Sequence, residues 1–409
     1  MKRKIVIIGI NYYPEDTAIG LYTSQLSEYL KKDKDITIIT GFPYYPAWKI
    51  NEEYRSKKKF LEETKDGIRI LRYKQYVPSK PTFLKRVLHL LDFTFGTFIN
   101  SFKIKKADVV ICIVPFIGSI GIAKFLARRK KAKLWIHVQD FEFDAAIDSN
   151  LKGKRKSSFI DRLLYKIEKN LLSKGDLIST ISTSMLSKLD KKLSNKTPPK
   201  TKLLPNWIDD TSINPNKSSF HKNFTKGKFS ILYSGNIGEK QDWNYFISFA
   251  KELKQHDDIE IIIVGDGSRK KWLIEKTKEL KKIKYFNPVP YSELSDLLCS
   301  ASLHILFQKN DVVDTVMPSK ILGMMASKKP SLITGNLKSE VNSTIEESKA
   351  GMYFENKDIN KAINFVLTIK EDEDLYDYYS NHSRDYVLKK FSKESILTKF
   401  NNTFNELLS

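Results

Sequence analysis

The stretch Ile231-Leu-Tyr-Ser-Gly-Asn-Ile-Gly-Glu-Lys-Gln241 carries residue types that could hold a phosphate. Gly235 and Gly238 permit a tight turn with peptide N–H groups facing outward, and Lys240 adds a positive charge beside it. Residues 231–233 read as the end of a buried strand, and residues 243–254 read as a helix with apolar positions at helical spacing. A strand, a glycine turn and a helix start make an anion site, because unpaired N–H groups and the helix dipole favour negative charge there. The spacing is neither G-x-x-x-x-G-K-S/T nor G-x-G-x-x-G. Taken alone, the same residues serve equally as an ordinary strand–helix connection.

Composition bounds what can position this turn. A chain of 409 residues is expected to form two domains rather than one. Hydrophobic residues at 41% and aromatics at 12% suffice for two packed cores. Cys112 and Cys299 both lie in apolar runs and read as buried thiols of a reducing compartment, not a disulfide or metal pair. The six histidines show no close spacing to cysteine, so no zinc site is expected. Met1-Lys-Arg-Lys leads straight into a short Ile/Val run, which is too short for a secretory leader. Nothing reaches the ~18 apolar residues of a spanning helix. Lys and Arg total 70 against 48 Asp and Glu, a net charge of +22. That excess suits nucleic acid, anionic lipid or a phosphorylated small molecule. The basic residues are spread thinly, and no RNP, zinc-finger or basic-zipper pattern accompanies them, so no nucleic-acid partner is expected.

Residues 4–10 form a short Ile/Val run of the kind found in a central parallel strand. Residues 21–32 read as a helix, and 36–40, 68–73, 109–114 and 134–138 as further strands. Alternation across the first ~200 residues argues for a doubly wound α/β domain, with ligands at the carboxyl ends of its strands. Residues 193–210, with Pro198, Pro199 and Pro205 among lysines, read as a linker. Alternation resumes at residue 229, with strands at 259–264, 284–287, 303–307 and 331–334. The fold class is therefore α/β, with one domain over residues 1–200 and a second over 205–385. The last helices span 375–408, and the segment 390–409 is placed to cross back onto the first domain. Two such domains leave a cleft for a small ligand.

The chain also contains Gly9-Ile-Asn-Tyr-Tyr-Pro-Glu15, Ile19-Gly-Leu-Tyr-Thr23, Pro43-Tyr-Tyr-Pro-Ala-Trp48, Tyr76-Val-Pro-Ser-Lys-Pro81 and Trp135-Ile-His-Val-Gln-Asp140. Further along come Ser179-Thr-Ile-Ser182, Pro205-Asn-Trp207, Tyr233-Ser-Gly-Asn-Ile-Gly-Glu-Lys-Gln241 and Met317-Pro-Ser-Lys320. Together these stretches resemble the GT-B-fold glycosyltransferases of family four, and within them the transferases of bacterial surface polysaccharides. The resemblance spans the whole length, and its last two stretches are the most specific. It implies a GT-B fold: two Rossmann-like doubly wound domains facing across a cleft. It implies transfer of a fucose-like or N-acetylamino sugar, with retention, from a GDP- or UDP-linked donor to a polyprenyl-diphosphate-linked glycan. No metal and no cofactor beyond the nucleotide sugar is implied. The expected location is the inner face of the plasma membrane, with an anionic membrane surface as partner.

A departing nucleotide puts growing charge on its diphosphate, which must be met in the transition state. Lys240 and the N–H groups of Gly235, Asn236, Gly238 and Glu239 are placed by the resemblance to meet it. Pro318, Ser319 and Lys320, just before a helix at 321–326, add a second cation. The wider family carries two glutamates with seven residues between them. Here Gly323 stands at the second position and Thr315 at the first, with Asp314 beside it to take over a contact. The wider family often has an arginine shortly before the lysine of the turn, where this chain has Glu239 next to Lys240.

Asp140 ends a strand and could orient an acceptor hydroxyl or take its proton; Asp also caps turns. Asp140-Phe-Glu-Phe-Asp144 has spacing that elsewhere holds a divalent metal, a reading the two-domain pattern argues against. His137 reads as a core histidine. Gly20 reads either as a close approach to phosphate or acceptor or as a helix N-cap. Gly265 and Asp266 could line a base or sugar pocket or form a plain turn, and Asn287 stands where backbone groups would hold the base. Residues 83–102 repeat apolar side chains at 83, 87, 91, 95, 98 and 102, a single helical stripe. Phe83, Lys85, Arg86 and Phe95 are the candidates for docking on anionic lipid; a core-facing helix with a basic outer face has the same pattern. A GT-B-fold sugar-nucleotide 2-epimerase is a second enzyme class, but it lacks the Tyr-Tyr-Pro and Asn-Ile-Gly-Glu-Lys-Gln patterns. A nucleic-acid-binding protein rests on net charge alone. Ile8-Gly9-Ile10-Asn11 lacks the second glycine of a dinucleotide fold.

Overall fold

The structure, a computed structural model, describes residues 2–16, 18–80, 82–114, 118–141, 159–193, 199–209, 211–312 and 319–409. The chain divides into two compact units, Met1–Pro205 with Leu397–Ser409, and Asn206–Ile396.

The first unit is built on strands Arg3–Ile8 (β1), Lys34–Gly41 (β2), Phe60–Lys65 (β3), Ile68–Tyr73 (β4), Val109–Val114 (β5), Lys133–Val138 (β6), Leu177–Thr180 (β7) and Lys200–Leu203 (β8). They form one sheet in the order β3-β4-β2-β1-β5-β6-β7-β8. All pair in parallel except β3 with β4. β5 (VVICIV) is buried at every position, as a parallel strand covered on both faces must be. The chain winds outward from β1 in one direction and from β5 in the other, so the switch point lies between them.

Three strands of this sheet are absent from the expectations above. β3 forms a hairpin with β4 through Asp66 and Gly67, whose φ angles of 51° and 81° are those of a two-residue hairpin turn that Asp-Gly favours. β7 is only four residues long. β8 lies inside the stretch read as a linker and pairs with β7. The prolines flank this strand rather than replace it, so the first unit extends to Pro205.

The second unit holds Phe229–Ser234 (β9), Ile259–Val264 (β10), Ile283–Phe286 (β11), Leu303–Phe307 (β12), Ser331–Thr334 (β13) and Gly351–Phe354 (β14). Their order is β11-β10-β9-β12-β13-β14, which puts this sheet's switch point between β9 and β12. β9 and β10 pair along six positions. β9 and β12 pair at only two, Ile231 with Leu303 and Leu232 with His304. Those pairs sit low on the strands, which part toward their carboxyl ends and open a crevice there.

The closing helix, Lys393–Leu408, brings its residues from Leu397 onward into the first unit. Phe400 stacks on Trp135 with ring centroids 5.6 Å apart, and the Lys34 ammonium donates to Asn401 Oδ1 at 2.6 Å.

The helix Phe83–Ser101 packs Leu90 and Phe93 inward. It lies close to β4 because Gly96 has no side chain: a Cβ there would fall within the Tyr73 ring. Tyr73 is locked in turn by donating to Asp92 Oδ1 at 2.7 Å. Alanine is the better helix former by about 1 kcal/mol, yet overpacking costs about 1–3 kcal/mol. Gly96→Ala should therefore lower stability in urea unfolding, by a net of up to ~2 kcal/mol. A variant more stable than the parent would contradict this contact.

Candidate active site

The turn singled out by its glycines and lysine follows β9 directly, at the switch point of the second sheet. Two side chains fix its path. The Tyr233 hydroxyl donates to the Asn236 carbonyl at 2.6 Å, and the Trp243 indole N–H donates to the Gly238 carbonyl at 2.9 Å. Gly235 has φ +144°, a region that favours glycine.

The peptide N–H groups do not all face outward as expected. Gly235 N–H donates to Val264 O at 2.9 Å and Ile237 N–H to Asp266 O at 2.8 Å. Gly238 N–H donates to Gln241 Oε1 at 3.2 Å. The turn is stitched to the end of β10, to the loop after it and to its own Gln241, and these three donors are spent on that stitching. The helix dipole is spoken for as well. Asp242 caps the helix Trp243–Glu252, accepting from Tyr245 N–H at 3.0 Å and from Asn356 Nδ2 at 2.6 Å. A carboxylate thus stands where the sequence reading placed a phosphate.

Side-chain cations stand close to the turn. Lys320, second in the helix Ser319–Ala326, reaches back so that its ammonium lies 5.2 Å from the Tyr233 ring centre. A Cβ on Gly235 would stand 3.2 Å from the same nitrogen. Lys240 is exposed, and its carbonyl accepts the Lys309 N–H at 3.0 Å. Glu239 is pinned by Arg269 Nε at 2.6 Å, with the Lys309 ammonium at 3.9 Å. The Arg269 hydrogen bond, ahead of the Coulombic pull of both cations, holds the Glu239 carboxyl below its usual range. Arg269 and Lys309 were missed in the sequence. The signal was present: each is the first basic residue after its strand, Arg269 after β10 and Lys309 after β12.

Gly265, Asp266 and Gly267 press against the turn. A Cβ on Gly265 would overlap the Gly235 carbonyl oxygen, and one on Gly267 would stand 2.5 Å from Asn236 Oδ1. The two glycines are therefore explained by close packing of two loops. Asp266 is exposed and accepts the Gly267 N–H at 2.9 Å. Asn287 follows β11 and accepts from the Lys270 ammonium at 2.7 Å. Asp314, Thr315 and Pro318 lie outside the described residues; Ser319 opens the helix that carries Lys320. Gly323, at the place of a family glutamate, faces the core: a Cβ there would meet Leu298 at 3.3 Å and Ile213 at 3.5 Å. An unpaired carboxylate is costly in such surroundings.

The remaining candidates belong to the first unit. Asp140 is exposed just beyond β6, while Glu142 and Asp144 lie outside the described residues. His137 is fully buried, and burial pushes its pKa down to about 3. Gly20 is the third residue of the helix Ala18–Leu30, not its N-cap. Its Cβ would stand 2.8 Å from the Glu15 Cβ, so Glu15 fills the space that phosphate or acceptor was expected to approach. Glu15 is buried and accepts N–H groups of Tyr44 and Tyr45 at 2.8 Å each. Burial raises its pKa, against those bonds, a third from Asn11 and the pull of Arg72.

The stripe on Phe83–Ser101 divides differently from the expected pattern. Leu91, Phe95 and the adjoining Phe102 are exposed, Val87 and Phe98 are half-buried, and Leu84, Leu88 and Ile99 join the solvent face. Phe83 opens the helix, and Lys85 and Arg86 on its first turn are exposed.

The close approach of the two loops makes Gly265 sensitive. Gly265→Ala must displace backbone at the turn, so stability should fall by about 1–3 kcal/mol in thermal unfolding. Gly121→Ala, in the helix Gly118–Lys130 with nothing within 4 Å of a Cβ, is the control and should be neutral or stabilising. Equal behaviour of the two variants would contradict the packing described.

The family described as Glycosyl transferases group 1 matches residues 215–386, a span that includes the turn, Arg269, Lys309 and Lys320. The putative colanic acid biosynthesis glycosyl transferase WcaI of Escherichia coli K12 is 30% identical over 413 residues, covering 98% of this chain and 99% of that protein. The sucrose-phosphate synthase of Thermosynechococcus elongatus shares the fold, with TM-score 0.74 at 14% identity over 99% of each chain. Anabaena HepE, solved with UDP and glucose, gives TM-score 0.67 at 11% identity over 99% of this chain and 100% of that one. With parallel-sheet, Rossmann-like units of the GT-B type and identity of this extent to WcaI, the chain belongs to the group 1 glycosyltransferases and is a glycosyltransferase enzyme.

Proposed function

We propose that this enzyme moves a fucose-like or N-acetylamino sugar, with retention, from a GDP- or UDP-linked donor to a polyprenyl-diphosphate-linked glycan in bacterial surface-polysaccharide assembly. The observation that carries the donor half is the gathering of Lys240, Arg269, Lys309 and Lys320 around one rigid turn at the second sheet's switch point. As the bond to the donor sugar breaks, the electron pair stays on the diphosphate. Fixed cations meet that charge without reorganising, which is where such stabilisation is most effective. Lys240 and Lys320 contact the diphosphate in this scheme, whereas Arg269 is tied to Glu239 and supports the turn. The charge is met by these side chains, without a metal. Asp140 orients the acceptor hydroxyl. Retention is what the resemblance to family four supports.

A broad apolar and basic face on the first unit supports the lipid-linked acceptor. Leu84 is 72% exposed, Phe95 57%, Leu88 56% and Leu91 54%. Phe125, on the neighbouring helix Gly118–Lys130, continues this face through ring contacts of 5.3 Å with Phe98 and 5.9 Å with Phe102. Arg129 lies over the Phe102 ring at 4.7 Å. Lys85, Arg86, Lys103, Lys105, Lys106 and Arg128 are exposed in the same stretches. Exposed leucines and phenylalanines rimmed by lysine and arginine suit the headgroup region of an anionic bilayer. Among the described residues no helix is long and apolar enough to cross a membrane, so the attachment proposed is peripheral, on the cytoplasmic face.

Transfer is tested by offering the purified enzyme a panel of GDP- and UDP-sugars with a phytanyl-diphosphate-linked N-acetylhexosamine. A product whose new linkage keeps the donor's anomeric configuration is expected, and an inverted linkage would refute retention. Attachment is tested by flotation with vesicles containing phosphatidylglycerol. Wild type should float and be released by salt, and Leu88→Glu/Leu91→Glu/Phe95→Glu should stay at the bottom while still being stabilised by nucleoside diphosphate. Wild-type protein that ignores these vesicles at low salt would remove the membrane from the proposal.

A further inference from the structure

Glu239 stands between two cations that reach the turn from opposite sides. Arg269 lies in the loop after β10 and Lys309 in the loop after β12, and these are the two neighbours of β9 in the sheet. Arg269 Nε donates to Glu239 Oε1 at 2.6 Å, and the Lys309 ammonium lies 3.9 Å from Oε2. One carboxylate thus spans the switch point. The loops themselves are joined by other means. Arg269 N–H donates to Ile237 O and Lys309 N–H to Lys240 O, at 3.0 Å each. Gly265 and Gly267 let the loop after β10 pack against the turn. With the backbone tied on both sides, the Glu239 side chain governs where two charged side chains point.

A carboxylate in this place works against the binding of an anion. Glu239 is exposed, and Arg269 and Lys309 are half-buried, so the cluster lies open to solvent. The hydrogen bond from Arg269, with the charge of both cations, holds the Glu239 carboxyl below its usual range. It is therefore ionised at neutral pH.

The chemistry of transfer gives such a carboxylate a use. A sugar nucleotide carries about two negative charges on its diphosphate, and the nucleoside diphosphate left after transfer carries about three, because a terminal phosphate has a second pKa of about 6. Cations that hold the donor therefore hold the product more tightly, and a product that stays blocks the next donor. Lys240 and Lys320, assigned above to the diphosphate, match the charge of the donor. Arg269 and Lys309 stand close enough to the turn to match the added charge of the product, and Glu239 engages both.

We propose that Glu239 is a positioning residue that withholds Arg269 and Lys309 from the diphosphate, so that the added charge of the product meets a carboxylate and the nucleoside diphosphate is released. That charge is complete only after the bond to the sugar has broken. Glu239 thus acts in full on the product and only in part on the transition state. The inference rests on the donor site proposed above and adds to it the group that limits product affinity.

The test is calorimetry on the full chain at mildly alkaline pH. The probes are UDP and GDP, their monophosphates, and the methyl esters of their terminal phosphates, which keep the diphosphate but carry one charge fewer. An exposed ion pair corresponds to a change in affinity of up to about fivefold. Wild type should bind the preferred diphosphate and its ester within about threefold of each other. Glu239→Gln should bind the diphosphate about three- to fivefold tighter, with ester and monophosphate changed less than about twofold. The gain should vanish in Glu239→Gln/Arg269→Gln/Lys309→Gln, and the diphosphate should become a correspondingly stronger product inhibitor of Glu239→Gln alone. A Glu239→Gln variant that binds the diphosphate no tighter than wild type, or gains equally for the ester, would overturn the inference. Weaker binding of all three probes would make Glu239 a brace of the turn and overturn it as well. In both cases wild type still binds the diphosphate and the donor reading stands. Wild type that binds no nucleoside diphosphate would strike the donor reading and this inference with it.

Discussion

The parting of β9 from β12 is the constraint on which the proposed donor site depends. Two paired positions hold these strands together low in the sheet, and above them the chain must fill the opening with a turn that has no ladder with β12. It borrows loops instead. Val264 and Asp266 accept its N–H groups, Tyr233 and Trp243 hold its carbonyls, and Gly265 gives the room for the loops to touch. Three of its amides, those of Gly235, Ile237 and Gly238, are thereby withdrawn from any ligand. In the proposed reaction the positive charge comes from side chains, those of Lys240 and Lys320, with Arg269 and Lys309 beside them around Glu239. If the cations hold the donor as proposed, preorganisation of this kind costs little reorganisation when the bond breaks.

The first unit solves a different problem with the same architecture. Its helix Phe83–Ser101 has two apolar faces, and only one can rest on the sheet. Gly96 decides which, because it alone lets the helix axis come down onto Tyr73. The other face keeps its leucines in solvent, and a monomeric soluble domain rarely retains such a patch without a use. Buried Glu15 plays a comparable part for the Tyr44–Trp48 loop. Its carboxylate is costly to desolvate, and the Tyr44 and Tyr45 N–H groups it binds fix the path of that loop.

Much of this was legible in the amino-acid order. Continuous Ile/Val runs marked the central strands, because a parallel strand covered on both faces has no polar side to show. The glycine–lysine turn was legible as a local pattern. What failed was everything set by register between distant segments. No local rule says that the turn's N–H groups meet the β10 loop, or that Arg269 and Lys309 arrive beside Glu239 from other strands. Gly20 looked like a helix start, but its neighbour in space is Glu15, which only the fold reveals. β8 was hidden by the prolines on either side of it, and β3 by its alternation of polar residues, though Asp66-Gly67 announced its hairpin. The helical stripe was visible, but periodicity gives the angle of a stripe and not which neighbour covers it.

The central claim is that the second unit's cations hold a diphosphate, and calorimetry with matched nucleotides tests it most directly. Titration of UMP, UDP, GMP and GDP into wild type, Lys240→Ala and Lys320→Ala separates the terminal phosphate from the rest of the nucleotide. The account predicts that the preferred diphosphate binds wild type at least about tenfold tighter than its monophosphate, a difference of about 1.4 kcal/mol, and that each alanine variant loses most of that preference while binding the monophosphate almost unchanged. A diphosphate preference that survives both substitutions would contradict it.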